Sequence, residues 1–367
     1  MTRPSVVLVS PYALSVFGGV QEQALAMSRE LARRDYDVDL IVPDSADRRD
    51  YDTPARIHRF GRLLSLPANG SRAPLTLSPL AAREAAALIA RRAPDVVHYH
   101  EPFAPLLGWA ALRAHAAASV ATLHRSGDGP ATRLTRPLLR ALARHVDVSV
   151  AVSPAAAATM GQAAGLVPDV LFNGFEVDRF VAFARDAPAI TTVLVVGRLE
   201  ERKGVRFAIE AMRQHNARAD SPWRLVILGD GPERARLEAL AAGLDCEFLG
   251  SPSDDEKRRW LRRASVVVAP ALRGESFGLV LLEAMASETP LVASDIDGYR
   301  EAAGGHAVMV APGDAAAIEA GVTRALERGV DVIDGARAHA TAWSMSRLMD
   351  AYEERYELAQ RRFGGAR

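Results

Sequence analysis

The sequence predicts an α/β protein with two parallel β-sheets, one in each half of the chain. Short apolar runs such as residues 6–9 alternate with segments of helical periodicity such as residues 20–31, as expected of parallel strands joined by helices. The same pattern starts again near Thr191, where an apolar run is followed by a charged loop and another helix. The length of 367 residues also favours two domains over one.

Five apolar runs predict the strands of the first sheet, at residues 6–9, 38–42, 95–100, 119–123 and 148–152. Each run ends in a loop, and ligands of doubly wound sheets bind at such loops. Gly18 and Gly19 separate the first run from a helix with Val20, Ala24 and Leu31 at helical spacing. Glycine lets a phosphate approach a helix N-terminus, and a plain turn is the competing interpretation.

The second sheet is predicted from apolar runs at residues 193–196, 225–228, 266–269 and 291–293, with a helix at 205–212. We place the domain boundary after residue 168, so that the second domain spans residues 169–344. The final segment is amphipathic, because Met345, Leu348, Tyr352 and Tyr356 fall on one helical face.

Charge and composition argue against several classes of protein. Lys and Arg number 45, as do Asp and Glu, so the basic excess typical of nucleic-acid binders is lacking. The N-terminal apolar run is too short for a signal peptide, and no uninterrupted run of about 18 apolar residues predicts a membrane-spanning helix. The single cysteine, Cys246, indicates a reducing environment, so we expect a cytoplasmic protein.

Only two of the 45 basic residues are lysines, Lys203 and Lys257. A GC-rich genome explains the preference for arginine. Against that preference, a retained lysine suggests a site that needs a compact ammonium group. Lys203 lies with Arg198 in the loop at residues 197–204, after a strand. The two cations are suited to a diphosphate, and a solvated charged loop is the alternative.

The strongest local signal is the segment at residues 274–285. A glycine-bounded loop opens an apolar helix that Glu283 interrupts. A buried carboxylate needs a partner, and the diol of a ribose offers two donors. Glu275 precedes Glu283 by eight residues. Along a helix axis that is on the order of 10 Å, a separation that suits one nucleotide sugar.

Histidines follow the strands of the first sheet, at His100 and His124. His98, His100 and Glu101 together resemble part of a metal site, but no further ligands are spaced to complete it. We therefore expect His98 to be a packing residue and expect no metal.

Two acidic runs and one basic run remain open to more than one interpretation. Asp35, Asp37 and Asp39 resemble the carboxylate pair of a metal–nucleotide site but precede a strand, which favours a solvated loop. Asp295 and Asp297 follow a strand, so either such a carboxylate pair or the cap of a turn stays open. Four arginines recur at near-helical spacing, on either a lipid-binding or a merely solvated face: Arg133, Arg136, Arg140 and Arg144.

Taken together, these motifs resemble glycosyltransferase family 4. The loop from Gly197 to Gly204 and the pair Glu275 and Glu283, with seven residues between them, carry the resemblance. The segment at residues 173–180 is similar to the interdomain segment of that family. N-terminal matches fall at residues 11–12, 18–21, 69–71, 100–102 and 124, so the resemblance extends over nearly the whole chain.

The resemblance implies a GT-B fold, with two Rossmann-like domains, an interdomain cleft, and a last helix that packs back on the first domain. It also implies a metal-independent retaining hexosyl transfer, in which the first domain binds the acceptor and the second the nucleotide sugar. The catalytic residues would be His124, Arg198, Lys203 and Glu275. The donor-binding residues would be Gly18, Gly19, Gly197, Lys257, Ser276, Phe277, Gly278 and Glu283.

The N-terminal matches point to members that transfer mannose from GDP-mannose to phosphatidylinositol, which implies contact with the inner face of the cell membrane. The acceptor would be bound by Tyr12, Gln21, Asn69, Ser71, Arg72 and Arg125. Ser15, Phe103 and Gly129 depart from the pattern of those members, on the acceptor side. Two alternatives stay open: a UDP-sugar with a soluble acceptor such as inositol phosphate, and a non-catalytic nucleotide-sugar-binding protein.

Overall fold

The computed structural model describes residues 3–15, 18–45, 50–68, 71–125, 130–181, 188–275, 278–328 and 330–365. The chain forms two compact units. The first unit comprises Met1–Phe175 and Met345–Arg367, and the second comprises Glu176–Ser344. The division falls later than the predicted residue 168, because the segment after that residue adds an edge strand to the first sheet.

The first unit alternates strands and helices. Its strands are β1 (Ser5–Val9), β2 (Asp37–Asp44), β3 (Arg56–Arg62), β4 (Leu64–Ala68), β5 (Ser71–Leu75), β6 (Val96–His100), β7 (Ala118–Leu123), β8 (Val148–Ala151) and β9 (Asp169–Val170). Its helices are α1 (Gly19–Arg33), α2 (Pro79–Arg92), α3 (Trp109–Ala114), α4 (Pro130–Ala143), α5 (Pro154–Ala156), a π-helical turn (Ala157–Gly161) and α6 (Gln162–Ala164). The last helix of the chain, which we label α14 (Met345–Gly365), also belongs to this unit.

Among the described residues, seven strands form the first sheet, in the order β3-β2-β1-β6-β7-β8-β9, and these pairings are parallel. Strands β4 and β5 pair separately as an antiparallel hairpin. The strand order reverses between β1 and β6, so the loops after these two strands flank the crevice where open parallel sheets bind ligands.

Helix α14 covers one face of the first sheet. Its predicted apolar face is buried, since Met345, Leu348, Tyr352 and Tyr356 pack with Leu8 and other side chains of β1, β2 and α1. Arg34, at the end of α1, forms ion pairs with Asp350 and Glu353 of α14 at 2.7 and 2.6 Å. The end of the chain is therefore part of the first unit's core.

The second unit repeats the alternation. Its strands are β10 (Thr192–Val196), β11 (Arg224–Leu228), β12 (Cys246–Gly250), β13 (Val266–Ala269), β14 (Leu291–Ser294) and β15 (Val308–Val310). Its helices are α7 (Val205–Asn216), α8 (Arg234–Leu240), α9 (Asp254–Arg263), α10 (Leu279–Ala286), α11 (Asp297–Ala303), α12 (Ala315–Leu326) and α13 (Val330–Thr341), with 3-10 turns at Val177–Phe180 and Glu201–Lys203.

The second sheet has the order β12-β11-β10-β13-β14-β15, and it is also parallel throughout. The strand order of this sheet reverses between β10 and β13, and we call this position its switch point. The predicted fold class, α/β with two parallel sheets, is confirmed.

The prediction of a solvated loop at Asp39 is wrong. Asp39 lies in β2 and is buried, and its carboxylate accepts hydrogen bonds from Arg56 and Arg92 and contacts His58 at 2.6 Å. Burial alone would raise the pKa of Asp39, but the hydrogen bonds to Arg56 and His58 and the charges of Arg56 and Arg92 together outweigh burial and lower it. Asp39 thus ties β2 to β3 and to the end of α2.

Candidate active site

The second unit presents two loops at the switch point of its sheet. Residues 197–204 follow β10 and residues 270–275 follow β13, and these two strands are neighbours. The backbone N–H of Leu272 donates to the carbonyl of Arg202 at 2.8 Å, which joins the loops. A Cβ atom at Gly204 would lie 2.1 Å from the carbonyl oxygen of Pro270, so only glycine permits this approach.

Three cations and two carboxylates of these loops form a charge cluster: Arg198, Glu200, Arg202, Lys203 and Glu275. Lys203 Nζ lies 2.7 Å from Glu275 Oε1. Arg202 bridges the carboxylates, with Nη1 2.7 Å from Glu275 Oε1 and Nε 2.8 Å from Glu200 Oε2. Arg198 Nη2 lies 3.3 Å from Glu200 Oε1. The cluster holds one more positive charge than negative, which suits an anionic ligand.

Glu275 does not lie on the helix that carries Glu283. Helix α10 begins at Leu279 with Gly278 as its N-cap residue, so Glu275 belongs to the preceding loop. The prediction that both carboxylates lie along one helix axis is therefore wrong.

Gly197 begins the loop after β10, and a Cβ atom at that position would meet open space.

Glu283 is buried, as predicted, with a relative exposure of 6%. Its Oε1 atom accepts a hydrogen bond from Nζ of Lys257 at 2.8 Å, and Lys257 is equally buried in α9. The carboxylate therefore has a cationic partner within the protein, and the alternative of an exposed Glu283 is wrong. The chain's two lysines, Lys203 and Lys257, thus contact the two predicted site carboxylates, Glu275 and Glu283 respectively.

In the first unit, a cluster of imidazole rings lies where β6 and β7 end. His100 Nδ1 is 3.1 Å from His124 Nε2, and the rings of His100 and His98 stack at 4.7 Å. Burial lowers the pKa of His100 to about 4, and it lowers the pKa of His98 and His124 well below the usual value. All three rings are therefore neutral at pH 7.

Hydroxyl groups hold the imidazole cluster on its other side. His98 Nδ1 lies 2.8 Å from the Tyr356 hydroxyl, and His98 Nε2 lies 2.7 Å from Thr122 Oγ1. Tyr352 Oη lies 2.7 Å from the same threonine oxygen. Both ring nitrogens of His98 are thus engaged by the protein, so His98 is a packing residue, as expected.

Glu101 fixes the backbone that carries His124. Its buried carboxylate accepts hydrogen bonds from the backbone N–H groups of His124 and Arg125. Burial raises the pKa of Glu101, and these bonds and the Arg125 charge act in the opposite direction. Glu101 also has a positive φ of 47°, a costly backbone conformation for this residue type.

The other described site residues of the first unit follow β1 or β7. Tyr12 follows β1, and burial together with the Glu101 charge raises its pKa. Gly19 begins α1 with open space beside it, and Gln21 donates to the carbonyl of Ala13 at 3.3 Å. Arg125, beyond β7, donates to Thr132 Oγ1 at 3.0 Å.

Three predicted site residues cannot be placed, because Asn69, Ser276 and Phe277 lie outside the described residues. Gly129, which departs from the family pattern, also lies outside them. Ser71 and Arg72 belong to β5, but their side chains are not described.

Sequence reasoning missed two members of the charge cluster, Glu200 and Arg202. Both lie inside the loop that was singled out, where their charges stand between those of Arg198 and Lys203 in the sequence. The contact between His100 and His124 was also missed, because the two histidines are 24 positions apart and the sequence does not show that β6 and β7 are neighbours.

Within the described residues, no group of three or more His, Cys, Asp or Glu side chains is arranged to hold a metal ion. Asp295 and Asp297, left open by the sequence, both form ion pairs with Arg300 of α11.

Comparison with known proteins decides the family. Residues 17–179 match the family model described as Glycosyltransferase Family 4, and residues 190–328 match that of Glycosyl transferases group 1. The chain belongs to glycosyltransferase family 4. The predicted resemblance is confirmed, and both clusters described above fall within the matched ranges.

Relatives of this glycosyltransferase match it from end to end. It is 34% identical over 367 residues to the phosphatidyl-myo-inositol mannosyltransferase of Mycobacterium tuberculosis, a match covering 94% of this chain and 96% of that protein. It is 30% identical over 381 residues to the enzyme of the same name from Propionibacterium freudenreichii, covering 98% and 96%.

Solved structures share the fold at lower identity. A glycosyltransferase from Rickettsia africae has a TM-score of 0.76 at 16% identity, covering 98% of this chain and 99% of that one. The sucrose-phosphate synthase of Thermosynechococcus elongatus has a TM-score of 0.73 at 20% identity, covering 97% and 98%. At these identities the likeness concerns the fold alone.

The run of arginines lies on α4 of this glycosyltransferase and on the residue that follows it, Arg144. Arg133, Arg140 and Arg144 are exposed, and Leu134 beside them has a relative exposure of 85%. Among the described residues, no helix is both long enough and apolar enough to span a membrane.

Proposed function

We propose that this glycosyltransferase moves mannose from GDP-mannose to a phosphatidylinositol-like lipid, with retention of configuration at the anomeric carbon. The charge cluster in the loops after β10 and β13 is the observation that carries the proposal. It provides cations for a diphosphate and carboxylates for hydroxyl groups at a switch point of the sheet. The relatives named above support mannose and phosphatidylinositol as the substrates.

Arg198 and Lys203 bind the donor diphosphate in this proposal. In the structure, Arg198 pairs with Glu200 and Lys203 pairs with Glu275. When the nucleotide binds, its diphosphate replaces the carboxylate as the partner of each cation. Negative charge grows on the diphosphate as the sugar leaves, and fixed cations stabilise that charge more than the ground state. Because two side chains supply this charge, we expect the transfer to need no metal ion.

Glu275 and Glu283 bind hydroxyl groups of the donor. Displacement of Lys203 leaves Glu275 held by Arg202 and gives its carboxylate an additional acceptor site for a sugar hydroxyl. An ionised carboxylate has about four acceptor sites, so Glu283 can accept from a ribose diol while it keeps Lys257. Lys257 would then lie near the nucleoside and fix the orientation of Glu283.

The configuration at the anomeric carbon is retained if the acceptor hydroxyl attacks that carbon from the same face that the diphosphate leaves. No side chain is identified as a nucleophile, so we infer an oxocarbenium-like transition state in place of a glycosyl-enzyme. His124 contributes as a neutral hydrogen-bonding group near the anomeric carbon, since its lowered pKa keeps it uncharged. A neutral ring adds no repulsion toward a carbon that is becoming positive.

The acceptor is proposed to be reached at a membrane surface. Helix α4 and the residue after it carry four arginines and no acidic residue. Exposed Leu134 and Leu138 lie on the same helix. An exposed apolar pair beside cations is typical of helices that lie on anionic lipid. We expect L134D to reduce flotation with phosphatidylinositol vesicles, whereas L326S, at an exposed leucine of the second unit, should not.

Radiolabelled transfer tests the function. The protein is incubated with GDP-mannose or UDP-glucose, and with phosphatidylinositol vesicles or inositol phosphate. Label from GDP-mannose in the lipid fraction, without added divalent metal, is the expected result. Label in the soluble acceptor from UDP-glucose would replace the proposal with the alternative substrates. Absence of both transfer and slow donor hydrolysis would indicate a non-catalytic binding protein.

A further inference from the structure

His124 and His100 share one hydrogen bond between two neutral rings. Nδ1 of His100 lies 3.1 Å from Nε2 of His124. A neutral imidazole has one N–H group and one lone pair, so one ring must donate and the other must accept. The choice of donor therefore fixes the protonation of all four ring nitrogens.

The second nitrogen of His100 distinguishes the two arrangements. Nε2 of His100 is buried and, among the described residues, has no hydrogen-bond partner. If His124 donated, His100 would carry its own proton on Nε2, as a buried N–H without an acceptor. If His100 donates from Nδ1, the unpaired atom is a lone pair. Orphaned buried N–H groups are rarer in proteins than under-satisfied acceptors, which favours donation by His100.

The surroundings hold His100 in this orientation. His100 is 1% exposed, and its ring lies nearly parallel to that of His98, with an interplanar angle of 11°. His98 is in turn held by the Tyr356 hydroxyl and Thr122. Glu101 fixes the backbone of His124 at the same time. Neither ring of the pair can turn without breaking a buried contact.

We propose that His100 is a positioning residue that holds His124 as the tautomer protonated on Nδ1. His124 Nε2 is then occupied by His100, and Nδ1–H is the group that His124 presents to the substrates. His124 acts as a hydrogen-bond donor and is unable to act as a base through Nε2. This inference rests on the proposed function, because it refines the role of His124 in that transfer. Partner groups fix histidine tautomers in the same way at other functional sites.

The tautomer can be measured without any substrate. Protein labelled with ¹⁵N-histidine is studied by long-range ¹H–¹⁵N correlation, and H124Q assigns the signals of His124. We expect protonated Nδ1 and unprotonated Nε2 on His124, unchanged between pH 6 and pH 8. Protonated Nε2, or a mixture of tautomers, would overturn the proposal. The measurement needs no turnover, so it stands apart from success or failure of the transfer assay.

Variants at His100 test the consequence for catalysis. H100F keeps a ring against His98 but removes both nitrogens, so His124 should become a tautomer mixture. We expect kcat for mannosyl transfer to fall roughly 10- to 100-fold, the loss seen when tautomer-fixing partners are removed at metal sites, with KM for the donor unchanged. H100N places an amide near the position of Nδ1 and should recover most of the rate. H145F, at a histidine of the first unit outside the cluster, is the control.

Two outcomes would contradict this role. One is H100F with the wild-type tautomer and wild-type kcat. The other is H100N no faster than H100F although both variants are folded. If H100F does not fold, the spectrum of the wild-type protein still decides the proposal.

Discussion

The charge cluster of the second unit and the imidazole cluster of the first unit are built on opposite electrostatic principles. Arg198, Lys203 and Glu275 keep formal charges in partly accessible loops, where a ligand can exchange with a protein partner. His98 and His100 are buried and neutral, and their hydrogen bonds form within the protein. The comparison indicates that charges serve to bind the donor, whereas neutral groups fix geometry at the proposed reaction centre.

Glu283 is the test case between these principles, because it is both charged and buried. We expect E283A to lower the free energy of unfolding by about 3–5 kcal/mol, since it removes the carboxylate beside the buried Lys257 ammonium. E275A should cost at most about 1 kcal/mol, because its carboxylate lies in a partly accessible network. Chemical denaturation measures both. Equal losses of unfolding free energy in E283A and E275A would contradict the distinction between a buried ion pair and a partly accessible one.

Lys203 is expected to contribute binding energy and little stability. A hydrogen bond to a charged group contributes about 1.5–3 kcal/mol, so K203A should raise the dissociation constant for GDP roughly 10- to 150-fold by calorimetry. K203R keeps the charge but not the compact shape and should recover only part of the affinity. R206A, at an exposed arginine of α7, is the matched control. An unchanged dissociation constant for GDP in K203A would refute the proposal that Lys203 binds the donor diphosphate.

Acid should destabilise the imidazole cluster. The pKa of His100 is lowered to about 4 in the folded protein, against about 6.5 in the unfolded chain. Above pH 6.5 both states are neutral and stability is complete. As the pH falls from 6.5 towards 4, the unfolded chain binds a proton that the folded protein excludes, so stability is lost, by about 2 kcal/mol at pH 5. His98 adds a loss of the same sign.

Chemical denaturation at pH 7, 6 and 5 measures this loss of stability. H100F lacks one of the titrating rings and should therefore show a shallower decline than the wild-type protein. The same slope in both proteins would show that His100 is not held neutral by burial.

The smallest effect is expected at Tyr356. Y356F removes the hydroxyl that contacts His98 Nδ1 at 2.8 Å, which should cost about 1 kcal/mol of stability. The affinity for GDP should not change, because this hydroxyl belongs to the imidazole cluster. A clear change in GDP affinity would mean that the two clusters do not divide their roles as we describe.

Most of the sheet framework could be predicted from the sequence. Buried parallel strands such as β10 and β13 appear as continuous β-branched runs, and their position needs no knowledge of partners. The buried face of α14 was equally visible, from Met345 to Tyr356. Strand β3 was missed because it contains three arginines and a glycine and is only partly buried.

The site could be predicted in its residues but not in its contacts. Burial of Glu283 demanded a partner, yet spacing could not indicate Lys257, which is 26 positions away. Asp39 was assigned to solvent for the same reason, since Arg56 and Arg92 reach it from other elements. Long-range pairing depends on strand order, and one sequence alone does not reveal strand order.

A crystal structure of the protein with GDP-mannose tests the division of roles most directly. We predict that the diphosphate oxygens lie within hydrogen-bond distance of Arg198 and Lys203, with the Lys203–Glu275 contact broken and the His100–His124 contact retained. A nucleotide bound away from the loops after β10 and β13, with Lys203 still on Glu275, would contradict the account.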